Sequence, residues 1–178
     1  MIVADEFGQK LIELLPNLRR FAISLCKSSD IANDLVQITC EKALLNRDRF
    51  ELGTRMDAWL FRILKNSWID RIRRTKTQGT VIDIDDAHDL VGHDGAKETE
   101  QRLALNEASR AIAKLPEEHR EVLVLVCVDE LSYREAAQVL GLPIGTVMSR
   151  LARARKKLSS ILGINDAPKR SANRKGVS

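Results

Sequence analysis

The segment from Leu131 to Leu158, LSYREAAQVLGLPIGTVMSRLARARKKL, constrains the fold of this chain more than any other part of it. Ser132 and Glu135 stand at the spacing of a capping box, in which two side chains satisfy otherwise unpaired backbone N–H groups at a helix N-terminus. A helix is therefore predicted to begin at Tyr133.

A turn and a second helix are predicted to follow. Gly141 and Pro143 indicate the end of the first helix, because glycine tolerates left-handed backbone and proline disfavours helical geometry in the residue before it. The second helix is predicted to begin near Ile144. Its apolar stripe consists of Val147, Leu151, Ala154 and Leu158. Its polar and basic side chains fall largely off that stripe, namely Ser149, Arg150, Arg153, Lys156 and Lys157. One face is thus expected to pack and the other to meet a polyanion.

A short helix, a glycine-containing turn and a second helix with basic side chains near its start are typical of a helix-turn-helix that enters the major groove of DNA. The alternative is an ordinary helical hairpin with a solvated basic face. The coincidence of cap, turn and polarity favours DNA binding. Arginine can pair bidentately with guanine, which discriminates against other bases by about 1–3 kcal/mol, and the lysines farther along the helix are expected at phosphates.

Composition agrees with this role. The chain has 178 residues, of which 44% are hydrophobic, and so can bury one moderate core or two small ones. Its net charge of +4 favours a polyanionic partner. The charge is segregated, because acidic residues crowd positions 83–98 while basic residues concentrate in the second helix of the hairpin and in the C-terminal tail.

Several function classes are disfavoured. Cys26, Cys40 and Cys127 lack metal-ligand spacing and lie among apolar residues, so buried reduced thiols are expected. No apolar run approaches the length of a bilayer and no export signal is recognisable, so a cytoplasmic location is expected. No nucleophile–base pair, metal cluster or phosphate-binding glycine loop is recognisable either, so we expect no enzyme, no cofactor and no metal.

Residues 1–74 are predicted to form a small helical bundle. Apolar residues recur at three- and four-residue steps from Phe7 to Leu25, with Pro16 expected to kink this helix or split it in two. Asp30 is expected to cap a second helix. A third helix is predicted over about 56–74.

Residues 75–99 are predicted to be a flexible acidic linker, because glycines and acids interrupt the periodicity. Such a coil averages roughly 25–30 Å end to end, so two modules could contact one duplex more than one helical turn apart. Asp83, Asp85 and Asp86 invite a metal-site interpretation, but without ligand-loop spacing a solvated loop is favoured, and the same holds for His88 and His93.

Residues 100–163 are predicted to form a second helical domain, which ends in the helix-turn-helix. Pro116 is expected to open a helix whose first turn carries Glu117 and Glu118. The stretch VLVLVCV at 122–128 could be a buried strand, but its context favours a buried helix. Residues 164–178 are predicted to be a basic disordered tail. The predicted fold is therefore all-α, with two small helical domains joined by a linker.

Three segments carry a family resemblance: DLVQITCEKALLNRDRF at 34–50, WLFRILKNSWIDRIRR at 59–74, and LPEEHREVLVL followed by the helix-turn-helix. Together they resemble the extracytoplasmic-function sigma factors of bacteria, over about residues 10–162. Within that family the chain looks most like the general-stress-response (EcfG-like) subgroup of alphaproteobacteria. The resemblance implies a transcription initiation factor that binds core RNA polymerase and directs it to promoters.

The resemblance also implies sites in the first domain, sigma region 2. The polymerase-binding residues would be Asp34, Leu35, Gln37 and Glu41, which face the beta-prime clamp helices, although Leu35 could equally be a core residue. The minus-ten promoter strand would be bound by Arg49, Phe50, Arg55, Arg62, Lys65, Asn66, Asp70, Arg73 and Arg74. Within the loop 51–55 and around it, a shaped pocket would hold an unstacked base. Trp59, Phe61 and Trp68 could stack on bases, but their helical spacing favours a place in the core.

In the second domain, sigma region 4, the resemblance implies recognition of the minus-thirty-five element as duplex, and contact with the polymerase beta flap. The implied DNA-binding residues are Thr146, Met148, Ser149, Arg150, Arg153, Lys156 and Lys157. Met148 and Ala152 depart from the larger or basic side chains common in the family, which leaves base preference open.

Regulation by a small helical, NepR-like anti-sigma factor is implied for the suspected subgroup. Two rival interpretations remain. A sigma-like decoy that binds an anti-sigma factor would share these helices, but family decoys usually carry a receiver domain, for which this length leaves no room. A stand-alone helix-turn-helix regulator would leave the segment 59–74 unexplained.

Overall fold

We describe the protein from a computed structural model, which describes residues 4–51, 53–77 and 100–164. These residues form helices joined by turns, and no strand occurs among them, which confirms the all-α prediction. The helices are α1 (Ala4–Cys26), α2 (Ser29–Leu45), α3 (Met56–Thr77), α4 (Glu100–Ala113), α5 (Glu117–Leu123), α6 (Tyr133–Leu140) and α7 (Ile144–Ile161), with a short 3-10 turn at Arg47–Arg49 and a π-helical segment at Val124–Val128.

Helix α1 is one continuous helix, so the predicted possibility of a split at Pro16 is wrong. Pro16 lies exposed on the solvent side of the helix. The carbonyl that loses its hydrogen-bond partner there can be hydrated, while Leu18, Phe21 and Leu25 remain buried on the opposite side and hold the helix together.

Helix α2 is capped by Ser28 and not, as predicted, by Asp30. Ser28 has extended backbone, and its hydroxyl accepts a hydrogen bond from the N–H of Ile31 at 3.4 Å. Asp30 lies in the first turn, where a negative charge is favourable beside the unpaired N–H groups. Both residues can cap a helix, so the sequence alone did not distinguish them.

The stretch 122–128 is helical, as predicted, but with a change of geometry. Helix α5 begins after Pro116 and passes at Val124 into a π-helical segment that ends at Val128. In this segment the helix widens, and the N–H of Asp129 donates to the carbonyl of Val124 at 3.0 Å. Cys127 is exposed, so the expectation of a buried thiol is wrong for it, whereas Cys26 is buried and Cys40 is half-buried.

The helix-turn-helix forms as predicted. The Ser132 hydroxyl accepts from the N–H of Glu135 at 3.2 Å, and the Glu135 carboxylate accepts from the N–H of Ser132 at 2.7 Å. Gly141 ends α6 with φ 65°, a conformation that favours glycine. Helix α7 buries Val147, Leu151 and Ala154 and half-buries Leu158.

Both halves of the chain contribute to one continuous apolar core. In the first half, Phe21 and Phe61 pack edge to face at 5.1 Å beside the buried Trp68. Phe61 and Trp68 are therefore core residues, as favoured from the sequence. Helix α1 packs against α5, and α3 packs against α6, so the two predicted domains lie against each other.

The predicted linker lies almost wholly outside the described residues, because α3 continues to Thr77 and the description resumes at Glu100. The acidic cluster at 83–86, both histidines of that stretch and the tail from 165 lie outside as well. Among the described residues there is no group of metal-ligating side chains and no helix long and apolar enough to span a membrane.

Candidate nucleic-acid interface

Helix α7 presents a basic, solvent-exposed face. The exposed side chains are Met148, Ser149, Arg153, Lys156 and Lys157, and Thr146 is half-buried near the helix start. The Ser149 hydroxyl donates to the Thr146 carbonyl at 3.0 Å. The apolar stripe fixes this helix against α5 and α6, so the basic face points away from the core.

Arg150 differs from the other basic residues of α7. Its side chain is only 23% exposed, and its guanidinium lies 3.1 Å from the Glu118 carboxylate and 3.6 Å from that of Glu121. These carboxylates fix the orientation of Arg150 at the edge of the basic face. To bind a base edge, Arg150 must exchange part of this pairing for DNA.

A small cavity lies between α2 and α3, at the predicted minus-ten surface. Its volume is about 260 Å³, and its lining residues are Lys42, Asn46, Arg49, Trp59, Ile63 and Asn66. Trp59 forms one wall and packs against Phe50, with ring centroids 5.4 Å apart. An aromatic wall beside amides and cations can hold a flat heterocycle by stacking and hydrogen bonding.

The cavity joins predicted residues with residues that the sequence reasoning missed. Arg49 and Asn66 were predicted, whereas Lys42, Asn46 and Ile63 were not, and Trp59 was favoured as core. Trp59 is half-buried, so it serves both the core and the cavity. Trp59 and Asn66 lie seven residues apart, a spacing that places two residues on one face of a helix. This spacing could have indicated that both residues line the same cavity.

Of the remaining predicted minus-ten residues, Phe50 packs against Trp59 beside the cavity, and the other six divide into two groups. Four on α3 are exposed, namely Arg62, Asp70, Arg73 and Arg74. Two are engaged within the protein. Lys65 is buried and ion-paired with Glu121, and Arg55 is paired with Asp57 at 2.5 Å.

The ion pair between Lys65 and Glu121 joins α3 to α5. Lys65 Nζ also lies 3.8 Å from Glu117, which accepts a hydrogen bond from the indole N–H of Trp68 at 3.1 Å. Burial raises the pKa of Glu121, while Lys65 and Arg150 oppose that rise. The Glu121 carboxylate thus lies between one predicted DNA-binding cation of each domain.

The predicted polymerase-binding residues on α2 lie on one exposed face, with one exception. Asp34, Gln37 and Glu41 are exposed, and the Gln37 amide donates to Glu41 at 3.1 Å. Asp34 lies 3.5 Å from Arg71 on α3. Leu35 is fully buried, so its inclusion in the contact surface is wrong: it points into the core from the opposite face of α2.

The chain matches two family descriptions, "Sigma-70 region 2" over residues 11–78 and "Sigma-70, region 4" over residues 105–158. It is 38% identical to "ECF RNA polymerase sigma factor EcfG" of Rhodopseudomonas palustris over 167 residues, which cover 94% of this chain and 91% of that protein.

Solved structures are similar as well. One is the sigma factor RpoE in complex with the anti-sigma factor NepR from Bartonella quintana, with a TM-score of 0.74, 35% identity, and coverage of 92% of this chain and 99% of that one. Another is CnrH in complex with the cytosolic domain of CnrY, with a TM-score of 0.62, 30% identity and coverage of 92% of each chain.

Proposed function

The chain belongs to the ECF RNA polymerase sigma factors, and from that membership we propose how its surfaces direct core RNA polymerase to promoters. It is a transcription initiation factor with the two DNA-binding regions of that family. The observation that carries the proposal is that one chain presents two different shapes suited to DNA, an exposed basic helix and a cavity with an aromatic wall.

The recognition helix α7 binds the minus-thirty-five element as duplex. Arg150 and Arg153 contact base edges in the major groove, with Ser149 beside them. Lys156 and Lys157 lie farther along the helix and bind phosphates, which contributes affinity without sequence preference. Met148 and Thr146 complete the surface near the helix start, where the methionine offers apolar contact to a base.

The cavity between α2 and α3 takes one unstacked base of the minus-ten element. Trp59 recovers the stacking that the base loses, and Asn66 and Arg49 supply hydrogen bonds to its edge. The exposed cations of α3, Arg62, Arg73 and Arg74, follow the phosphates of the same strand. Phe50 supports Trp59 from behind the cavity wall.

The exposed face of α2 binds the clamp helices of the beta-prime subunit, with Asp34, Gln37 and Glu41 as the contacts. A polar face of this kind suits a partner that must also be released. The second domain, residues 100–163, contacts the beta flap. The tail from residue 164 adds nonspecific attraction to DNA through its cations.

An anti-sigma factor controls the chain. The support is the similarity to RpoE, which was solved in complex with NepR, and to CnrH, which was solved with the cytosolic domain of CnrY. The similarity to EcfG favours a small NepR-like partner and a role in stress response. Because promoter DNA and RNA polymerase lie in the bacterial cytoplasm, transcription initiation by this chain takes place there. The chain performs no catalysis of its own.

Reconstituted transcription tests the proposal. Core polymerase with the purified chain is incubated with a library of templates that carry randomised promoters, and the transcripts are sequenced. We expect transcription only when the chain is present, from templates that share two spaced motifs. Binding of duplex DNA without any gain in transcription would instead support a stand-alone regulator, and binding of an anti-sigma factor without either activity would support a decoy.

A further inference from the structure

Among the described residues, Arg150 is the only cation of α7 that is ion-paired with carboxylates. Its Nη2 atom lies 3.1 Å from Glu118 and its Nη1 atom lies 3.6 Å from Glu121, and its side chain is 23% exposed. The other cations of the basic face are exposed, namely Arg153, Lys156 and Lys157. Within this face, Arg150 therefore approaches DNA with a guanidinium whose direction the protein has already set.

The two carboxylates differ in how freely they can move. Glu121 is 6% exposed and is also ion-paired with Lys65, so it stays where it lies. Glu118 is 54% exposed and lies in the first turn of α5, where its side chain can follow the guanidinium. When Arg150 extends towards a base, it gives up the longer contact with Glu121 and keeps the shorter one with Glu118.

The guanidinium of Arg150 has enough donors for a carboxylate and a base at once. It carries five N–H groups, of which a single contact with Glu118 uses one and a bidentate contact with guanine O6 and N7 uses two. A side chain that moves freely in solution must be immobilised when it binds, which reduces the affinity about twofold to tenfold. Because Glu118 already restricts Arg150, much of this reduction is avoided.

A fixed guanidinium favours contact with a base over contact with a phosphate. A phosphate accepts hydrogen bonds from many directions and occurs in every sequence, whereas the two acceptors of a guanine edge require one orientation of the donor. We propose that Glu118 is a positioning residue of the recognition helix, which directs Arg150 onto a guanine and so raises discrimination at a single base pair of the minus-thirty-five element. The proposal rests on the proposed function for the placement of α7 in the major groove.

The test compares Glu118→Gln with Glu117→Gln in the full chain. Each substitution removes one negative charge from the first turn of α5 with almost no change of shape, and the two side chains are similarly exposed, at 54% and 44%. Glu117 is the control because its ion-pair partner in the described part of the chain is Lys65. Arg150→Ala and the double variant with Glu118→Gln complete a double-mutant cycle.

Fluorescence anisotropy measures the binding of three kinds of labelled duplex. The first carries the motif selected from a pool randomised over the minus-thirty-five element, the second carries that motif with one G·C pair changed at a time, and the third has no motif. Each duplex is titrated with the full chain alone and with the chain assembled with core polymerase. Discrimination is the ratio of the Kd for a changed duplex to the Kd for the selected one.

We expect Glu118→Gln to reduce discrimination about twofold to tenfold at one G·C pair, the pair at which Arg150→Ala removes it, and to leave the other pairs unchanged. Glu117→Gln should leave discrimination unchanged at every pair. Both variants should bind the duplex without the motif more tightly and to the same extent, because each loses one negative charge near the phosphates. In the Arg150→Ala background, Glu118→Gln should have no further effect on discrimination.

Equal discrimination in Glu118→Gln and Glu117→Gln, or a loss that persists in the Arg150→Ala background, would overturn the proposal. A merely structural role of Glu118 would weaken the binding of all three kinds of duplex and lower Tm below that of Glu117→Gln, and this result would overturn it as well. In either case the proposed function stands if Arg153→Ala still relaxes the sequence preference. If neither Arg150→Ala nor Arg153→Ala changes discrimination, the placement of α7 in the major groove is wrong too.

Discussion

Replacement of Arg120 by methionine should destabilise the protein more than any surface charge change. Arg120 lies on α5 and is 1% exposed, and its guanidinium donates to the carbonyl of Ser24 on α1 and to that of Leu115 at 2.7 Å. A weaker contact reaches the carbonyl of Ala113 at 3.5 Å. Methionine fills a similar volume but leaves these buried carbonyls without a donor.

The expected loss follows from the two strong hydrogen bonds. A bond from a charged donor contributes about 1.5–3 kcal/mol, so the gross loss is roughly 3–6 kcal/mol. Part of it is offset, because burial of the guanidinium is itself unfavourable and lowers the pKa of Arg120. We therefore expect the free energy of unfolding to fall by about 2–4 kcal/mol, which corresponds to a decrease in Tm of roughly 5–15 °C for a chain of this size.

Urea denaturation followed by circular dichroism measures this loss. The control is Arg110→Met, which removes the same charge from an exposed position on α4. A decrease below about 1 kcal/mol for Arg120→Met, or one equal to that of the control, would show that the buried hydrogen bonds do not stabilise the fold as argued.

Three further predictions concern the site and its scaffold. Arg153→Ala should weaken binding of the preferred minus-thirty-five duplex by about 1–3 kcal/mol and relax the protein's preference for that sequence. Competition with mismatched duplexes measures the preference, and an unchanged preference would contradict the placement of α7 in the major groove. Asn66→Ala should weaken holoenzyme binding to the minus-ten strand severalfold in anisotropy titrations, whereas Asn106→Ala on α4 should have no effect. An equal effect of the two substitutions would show that the cavity does not bind the minus-ten strand. Hydrogen bonds with Ser132 lower the pKa of Glu135, first through the hydroxyl and then through the backbone N–H, and Arg55 adds to this effect. The stabilisation by the ionised Glu135 carboxylate is therefore fully present above the ordinary pKa of 4.5 and is lost as the pH falls through the lowered pKa. The stability difference between the unaltered chain and Glu135→Gln should thus vanish at acid pH in thermal melts, and a difference that grows on acidification would refute the sign.

The sequence predicted best where local chemistry decides the structure. The cap at Ser132, the stop at Gly141 and the polar face of α7 each follow from a few neighbouring residues, and the structure has them as predicted. Asp30 was misassigned because two competent capping residues stand close together, and only the backbone conformation of Ser28 decides between them.

Prediction was weakest where distant segments meet. The ion pair of Lys65 with Glu121 joins residues 56 positions apart, and no periodicity indicates it. The same holds for the cavity, since Asn46 on the turn after α2 and Ile63 on α3 meet only through tertiary packing. Leu35 shows the reverse case: the family pattern implied a contact surface, whereas helical geometry turns this one residue inward.

The π-helical segment at Val124–Val128 sets the rotational phase of everything that follows it. A widened turn accommodates one residue more than an α-helical turn, so the chain leaves α5 in a different direction from the one a regular helix would give. Removal of a single residue there, such as the outward-facing Cys127, would restore regular winding and swing Asp129 away from Arg20. The length of this one turn therefore decides whether Asp129 faces Arg20, and so whether the two domains pack together as they do here.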